Sequence, residues 1–323
     1  MKILVTGGLG YIGSNMTLKL LNTKNKVIVL DNLSNSNKSV INRIKKLAGK
    51  NFLFFKIDCK NKSKVFNVFK NEKPDLVIHF AGLKSVSESV KKPSLYLREN
   101  IKSAETILLA MKKFNVSKFI FSSSATVYGK PIYLPIDEKH PTEPLHAYGL
   151  SKLKIEKILD KITKKNKKFS VISLRYFNPV GSDDSGLLSD NPKKPTNLFP
   201  NIINVLKKKK KFLSIWGKDY KTVDGTAARD FIHIKDLIEA HIYSISYIKK
   251  IKGHKIFNVG TGKSQTVLKV VRKFKLINKL NFLTKFRGRR AGDTAEIYAS
   301  VKKINKSLKW TSKYSLSEMC KIK

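Results

Sequence analysis

The sequence predicts an α/β protein: a doubly wound parallel sheet followed by a smaller carboxyl-terminal α/β lobe. Three observations carry this expectation. Short aliphatic runs alternate with stretches of helical apolar spacing through the first half of the chain. Those runs are apolar at nearly every position, as strands covered on both faces must be. The first run opens directly into a glycine-rich turn with a helical pattern behind it.

The first strand is Lys2-Ile3-Leu4-Val5-Thr6, and Gly7, Gly10 and Gly13 follow it. Glycines at these places let the backbone turn tightly, approach a pyrophosphate and pack helix on strand. Ile12, Met16, Leu20 and Leu21 recur at helical spacing, so the amino-terminus of a helix points back at the turn and favours an anion there. A second strand, Lys26 to Leu30, ends on Asp31, where an acid grips an adenosine ribose. Together these segments describe the Rossmann-type seat of a dinucleotide.

Phe52 to Asp58 reads as a third strand, Lys62 to Asn71 as a helix, and Leu76 to Gly82 as a fourth strand whose small final residues suit close approach of a cofactor. Pro93 opens a long helix to about Phe114. Lys118 to Phe121 forms a fifth strand that delivers Ser122, Ser123 and Ser124 to its carboxyl end, where ligand crevices lie in open α/β sheets. A loop punctuated by Pro131, Pro135, Pro141 and Pro144 is expected to edge the site, and a helix from near Ala147 carries Tyr148 and Lys152. Val171 to Phe177 is a sixth strand. Beyond a polar excursion to Pro200, helices are expected over Asn201 to Lys209, Asp236 to Lys249 and Thr266 to Phe274, with strands at Asp230 to Ile234 and Lys255 to Gly260. Residues 1–176, with a return segment at about 229–262, are assigned to the dinucleotide-binding unit, and 177–228 with 263–323 to the second lobe.

The charge is the most unusual property: 66 Lys and Arg against 23 Asp and Glu give a formal +43. The lysines are spread along the chain rather than gathered on one helix among aromatics, so they read as solvated faces and no specific nucleic-acid partner is expected. Any incidental polyanion binding should be salt-sensitive, and an anionic substrate would be drawn in by such a field. No run approaches the roughly 18 apolar residues of a membrane span, and the chain begins on a strand, so a cytoplasmic protein is expected. Cys59 and Cys320 lie far apart in sequence and read as two ordinary thiols. His79, His140 and His146 lack ligand spacing, so no metal is expected, and His233 reads as a hydrogen-bonded residue in mid-strand.

Tyr148 and Lys152, four residues apart on a helix, stand about 6 Å apart along one face. A phenol is a poor base at neutral pH, but an adjacent ammonium and a positive nicotinamide ring both favour the phenolate. Such a tyrosine can take a proton from an alcohol as hydride leaves the same carbon. Ser124, ending the fifth strand, would hydrogen-bond the reacting oxygen.

TGGLGYIGS, VIVLDNLSNS, VIHFAGLKSVSESVKKP, FIFSSSATVYG, YGLSK, LRYFNPVG, DYKTVDGTAARDFIHIKDL and RRAGD together carry a resemblance that runs from Lys2 to about Trp310. The chain resembles the extended short-chain dehydrogenase/reductase family and, within it, the UDP-glucose 4-epimerase group. The resemblance implies NAD as a tightly held cofactor, UDP-glucose and UDP-galactose as substrates, and a homodimer packed through the helices after Pro93 and Tyr148. It implies that Tyr148 removes the proton of the sugar 4-hydroxyl, and that hydride leaves C4 and returns to the opposite face of a 4-keto intermediate that has turned in the site. Lys152 and Ser124 assist Tyr148. By matching positions, Gly7, Gly10, Tyr11, Ile12 and Gly13 line the cofactor turn; Asp31, Asn32, Asn35 and Ser36 hold the adenosine ribose side; Asp58 lies at the adenine, and Cys59 beside it is also cofactor-binding. Phe80, Ala81 and Lys84 belong to the nicotinamide half, with Lys152 on its ribose, and Asn100, Ser122, Tyr148 and Phe177 are further cofactor-binding positions. Lys84, Ser124, Tyr176, Asn178, Asn197 and Leu198 face sugar and diphosphate, and Arg229, Arg290 and Asp293 grip phosphate and uridine ribose, as paired arginines and an acid suit them to do.

The chain departs from the family pattern at Ile57, Ser103 and Ala104, beside the cofactor, and at Ile297, which aligns with the residue limiting substituents at the sugar 2-position. N-acetylhexosamine tolerance therefore stays open. The segment after Trp310 is short and is expected to leave the second lobe less firmly fastened. A 4,6-dehydratase would need an Asp-Glu pair after Ser124, where Ala125 and Thr126 stand. An NADPH-dependent reductase conflicts with Asp31, which would repel a 2′-phosphate. A non-catalytic polyanion-binding module is a further alternative, against which Tyr148, Lys152 and Ser124 argue.

Overall fold

The computed structural model describes residues 1–192, 195–290 and 292–322. In chain order, β1 (Lys2–Thr6), α1 (Tyr11–Leu21), β2 (Lys26–Asp31), α2 (Ser39–Ala48), β3 (Leu53–Lys56), α3 (Lys62–Glu72) and β4 (Leu76–His79) alternate strictly. After them come α4 (Val86–Lys91), α5 (Pro93–Lys113), β5 (Lys118–Ser124), α6 (Ala147–Lys165), β6 (Ser170–Tyr176) and β7 (Asn178–Val180). The remainder comprises α7 (Leu198–Leu206), β8 (Leu213–Trp216), β9 (Ala228–Arg229), β10 (Phe231–His233), α8 (Ile234–Tyr247), β11 (Gly253–Val259), β12 (Gln265–Thr266), α9 (Val267–Ile277), β13 (Thr284–Arg287), β14 (Glu296–Ile297), α10 (Lys302–Leu308) and α11 (Leu316–Cys320).

The principal sheet has seven strands in the order β11-β6-β5-β4-β1-β2-β3, every pair parallel. Because the chain runs outward from β1 to β3 and then returns to the other side of β1, the strand order reverses between β1 and β4. A crevice opens there at the carboxyl ends of the strands. Strand periodicity divides the core: Ile3, Val5, Val27, Val29 and Ile78 face the layer containing α1 and α8, whereas Leu4, Ile28, Leu30 and Val77 face the layer of α3, α5 and α6. Both faces are therefore dry, which explains the uninterrupted apolar runs in the sequence.

A third cluster, including Val180, Ile202, Ile215, Phe231, Val270 and Phe274, forms the core beneath β8, α7 and α9. Small sheets complete this part: β10-β7, β12-β9-β14 and β13-β8. Val127, Tyr128, Ile136, Leu153, Phe177 and Ala299 form a fourth cluster at the seam between the large sheet and these strands.

Several expectations need correction. The third strand is shorter than read, because Phe52 and Ile57 flank it. Helices α2 and α4 are not among the expected elements; α2 exposes Ser39, Asn42, Arg43 and Lys46, and α4 is only six residues long. His233 is not in mid-strand; it ends β10 and its side chain accepts from Lys235 N at 3.1 Å, capping α8. The carboxyl-terminal segment is also well fastened. Trp310 is 2% exposed and its Nε1 donates to Asp236 O at 3.2 Å, while the Asp236 carboxylate accepts from Lys313 N and Tyr314 N at 2.9 and 3.0 Å. Asn278 Nδ2 donates to Cys320 O at 2.8 Å, and a Ser315–Glu318 capping box starts α11.

Candidate functional site

The glycine turn sits at the crevice between β1 and β4. Gly7 has φ +65°, its N–H donates to Leu30 O at 2.7 Å, and a Cβ there would lie 2.8 Å from Ala81 N. A Cβ on Gly13 would lie 2.1 Å from Gly7 O. These two glycines are demanded by the protein's own packing. Gly10 is different: a Cβ would meet only Gly7 O, at an ordinary 3.4 Å, so the space over it is left for something else. Gly10 is also the N-cap of α1, and no side chain caps that helix. Free N–H groups at a helix start beside an open glycine fit a dinucleotide pyrophosphate.

Asp31 is buried and organises the turn. Its Oδ2 accepts from Leu9 N at 3.0 Å, and Oδ1 accepts from Leu33 N at 2.9 Å and Ser36 Oγ at 2.8 Å. Asn32 Nδ2 donates to Asp58 Oδ2 at 3.3 Å, so the loop after β2 is joined to the acid following β3; Asn35 is exposed on the same loop. Cys59 points into the core, where burial pushes its thiol up to about 12, so only its backbone can face a ligand.

At the end of β4, Ala81 N donates to Thr6 Oγ1 at 3.3 Å and the Phe80 ring packs 5.1 Å from His241. Asn100 is 1% exposed and its amide is committed within the protein. It accepts from Leu83 N at 2.7 Å and donates to Leu83 O at 3.1 Å and Ser151 Oγ at 2.9 Å. Ser151 Oγ in turn donates to Tyr148 O at 2.7 Å. Asn100 thus braces the loop bearing Lys84 against the helix bearing Tyr148.

The start of α6 is capped by His146, which accepts from Gly149 N at 3.2 Å and stacks 6.1 Å from the Tyr148 ring. Lys152 Nζ, buried one turn along, donates to Ser122 O at 2.7 Å and lies 5.8 Å from the centre of the Tyr148 ring. Burial lowers the Lys152 ammonium to about 8, against a supporting charge from Glu156. Ser124 Oγ accepts from Thr126 N at 3.2 Å and Thr126 Oγ1 at 2.9 Å, which leaves its own proton for donation. In the protein alone, burial raises the Tyr148 hydroxyl above its ordinary value, and the Ser124 side chain offsets only part of that.

Tyr176 and Phe177 are nearly buried. His241 Nδ1 bonds Leu237 O at 2.8 Å, so its Nε2 is the acceptor for the Tyr176 hydroxyl at 2.6 Å. That hydroxyl is taken, and its burial raises it far above the phenol range. Tyr11 OH donates to Gly181 O at 2.8 Å. Asp190 gathers three of the expected ligand residues. It accepts from Lys84 Nζ at 2.9 Å and Asn197 Nδ2 at 3.3 Å, and with burial, the larger cause, it raises the Tyr11 hydroxyl. Asn197 is the N-cap of α7, which Leu198 opens.

Farther along the crevice, Arg229 Nη2 lies 3.2 Å from Asp293 Oδ1 and its Nη1 donates to Thr294 O at 2.9 Å. Arg290 lies 4.9 Å over the Trp216 ring and donates to Thr196 O at 3.3 Å; partial burial lowers its guanidinium, with Arg229 adding and Asp293 opposing. Asp293 also acts on His146, whose imidazole burial lowers, so the arginine cluster and the start of α6 face one another. Asn178 continues this line, its N–H donating to Asp230 O at 2.9 Å. Ile297 pairs with Arg229 across β14 and β9. Ala291 of the RRAGD stretch lies outside the described residues.

Sequence reasoning missed His146, Glu156, Arg175 and Asp190. The last stands in a segment with no periodic pattern, but Glu156 continues the four-residue spacing of Tyr148 and Lys152 and could have been found. Among the described residues, no group of three or more His, Cys, Asp or Glu is arranged to hold a metal, Cys59 and Cys320 are free thiols, and no helix is long and apolar enough to cross a membrane.

Residues 3–260 match the NAD dependent epimerase/dehydratase family. UDP-glucose 4-epimerase of Bacillus subtilis (strain 168) is 41% identical over 321 residues, covering 99% of this chain and 95% of that relative. The crystal structure of UDP-glucose 4-epimerase from Bifidobacterium longum in complex with NAD+ and UDP superposes with a TM-score of 0.96 at 40% identity, covering 99% of this chain and 96% of that one. That of UDP-glucose-4-epimerase from Stenotrophomonas maltophila, with bound NAD and formylated UDP-arabinopyranose, gives 0.96 at 35% identity over 100% and 96%.

Proposed function

The chain belongs to the NAD dependent epimerase/dehydratase family, and from that premise we propose that it inverts C4 of a UDP-hexose, converting UDP-glucose and UDP-galactose into one another. It is an NAD-dependent isomerase with UDP-glucose 4-epimerase activity. The observation that carries the reading is the meeting of Tyr148, Ser124 and the Lys152–Ser122 bond at the carboxyl end of the sheet, beside the open glycine turn.

Gly7, Gly10 and Gly13 with the start of α1 would hold the pyrophosphate of NAD, Asp31 and Ser36 the adenosine ribose, and Phe80, Ala81 and Lys152 the nicotinamide half. NAD, when bound, supplies an acceptor that takes hydride from C4 and gives it back. Tyr148 takes the proton of the 4-hydroxyl and later returns one, acting as base and then acid. Ser124 donates to the same oxygen, as its two accepted bonds from Thr126 leave it free to do. The ammonium of Lys152 favours the phenolate. Inversion requires both faces of the sugar carbon to be presented in turn. Arg229, Arg290 and Asp293 therefore hold the UDP end, while Lys84 and Asn197 border the turning hexose.

We assign residues 1–176 with the return segment at about 229–262 to cofactor binding, and the rest to the UDP-sugar. A homodimer through α5 and α6 and a cytoplasmic location complete the proposal. Purified protein is denatured and assayed for released NAD while native protein is incubated with UDP-galactose. Release of cofactor together with UDP-glucose formation is expected; native protein that carries NAD but leaves UDP-galactose unchanged would sink the assignment.

A further inference from the structure

Four residues beyond Lys152, the same face of α6 carries Glu156. Its Oε1 accepts from Ser123 Oγ at 2.5 Å and Arg175 Nε at 3.0 Å, and its Oε2 from Arg175 Nη2 at 2.6 Å. Glu156 is 2% exposed and Arg175 4%. The guanidinium lies 4.7 Å over the ring of Tyr128, whose hydroxyl donates to Asn258 Oδ1 at 2.6 Å. A buried ion pair is a poor device for stability, because an apolar pair of the same size often does as well. Its position suggests another use. Lys152 bonds the carbonyl of Ser122 and Glu156 the hydroxyl of Ser123, so successive turns of α6 hold successive residues of β5, immediately before Ser124.

We infer that Glu156 is a positioning residue for the reaction: paired with Arg175, it supports the ammonium of Lys152 and fixes the end of β5, so that Ser124 and Tyr148 address one oxygen. The inference rests on the proposed roles of Tyr148 and Lys152. The titratable groups that act on or lie beside Lys152 are Tyr148 and Glu156 on α6 and His79 on β4, while Arg175 and Tyr176 on β6 stand one contact further away, against Glu156 and Tyr148. The Phe121 ring and the Ser122 carbonyl of β5, and Asn100 of α5 bonded to Ser151 of α6, add no charge. Burial holds His79 neutral, at about 3, and keeps Tyr176 protonated. Glu156 is therefore the fixed charge that supports the ammonium, and Arg175 acts through it, as the partner that holds its carboxylate.

The test is the pH dependence of turnover of the NAD-loaded protein for wild type, Glu156→Gln, Arg175→Met and the double variant. Glu156→Gln removes the supporting charge and leaves Arg175 unpartnered, so the alkaline loss of activity should move down by about one to two pH units. Arg175→Met should leave the alkaline limb in place, because Arg175 reaches Lys152 only through Glu156, and the double variant, which also lacks the carboxylate, should keep the downward shift. A shift that follows the charge of Glu156 and not the loss of Arg175 is something a purely structural role cannot give. If Glu156→Gln does not fold, the double variant, in which no buried guanidinium is left unpartnered, carries the test. Alkaline limbs unmoved in every variant that folds, with only thermal stability lowered, would overturn the inference. Failure of the underlying reading is separate: it would show as full turnover in Tyr148→Phe.

Discussion

Lys84 Nζ lies 2.9 Å from Asp190 Oδ1, joining the loop after β4 to the segment that leads into α7. The same carboxylate holds Asn197, so one acid sets the position of two residues expected at the sugar. The pair is partly exposed, with side-chain exposures of 42% and 10%, and such a pair is worth about 1 kcal/mol or less. Asp190→Asn should therefore raise KM for UDP-glucose by about threefold to fivefold with little change in kcat, because the proton-carrying groups stay in place. Steady-state kinetics decide this; a fall in kcat at constant KM would contradict it.

Tyr148→Phe keeps the ring that stacks on His146 and removes only the hydroxyl. Loss of a general acid/base commonly costs about 10²–10⁴ in rate. Turnover should fall by that factor while NAD content and the affinity for UDP remain. Because burial holds this hydroxyl above its ordinary value in the protein alone, wild-type activity should rise with pH on its acid side. That rise should be absent from the residual rate of Tyr148→Phe, as a pH series on both proteins would reveal.

The fold was legible where the chemistry is local. Strands β1, β2 and β4, the glycine turn and the helix with Tyr148 and Lys152 all announce themselves through periodicity and special residues, because a parallel sheet covered on both faces leaves no room for polar substitution. The second part was less so. β8 and β13 are four residues each and join strands 71 positions apart in register, and β9, β12 and β14 are two residues each, too short for any pattern. In the site, Asn100 illustrates the limit: the resemblance places it at the cofactor, and only the fold shows that its amide also joins Leu83 to Ser151. Asp190 carries no signal at all, since its role depends on long-range contacts with Lys84 and Tyr11.

Buried neutral histidines set an acid limit. Burial lowers His79 to about 3 and His241 to about 4, from an ordinary 6.5. Between those values the unfolded chain binds more protons than the folded one, so stability is fully present above pH 6.5 and is lost as pH falls through the window towards 4 and 3. Thermal denaturation from pH 7 to 4 should show a steep drop in Tm. His241→Gln can still accept from Tyr176 and should flatten the lower part of that drop, although it costs some stability at pH 7. An unchanged slope would mean that the acid sensitivity lies elsewhere.

The glycines of the turn separate folding from binding. Gly13→Ala would place a methyl 2.1 Å from Gly7 O, against backbone, and should destabilise the protein by several kcal/mol or abolish expression. Gly10→Ala meets nothing closer than 3.4 Å, and Gly10 has φ −70°, a conformation open to alanine. Removing a glycine from such a position tends to stabilise by about 0.4–1 kcal/mol through the unfolded chain. The same methyl, however, stands over the uncapped start of α1, where the pyrophosphate is expected to sit. Gly10→Ala should therefore fold with an unchanged or slightly higher Tm when stripped of cofactor, yet copurify with much less NAD than wild type. Measuring Tm and released NAD on the same preparations tests both halves. Full NAD occupancy in Gly10→Ala would show that the open space over this residue is not the cofactor's.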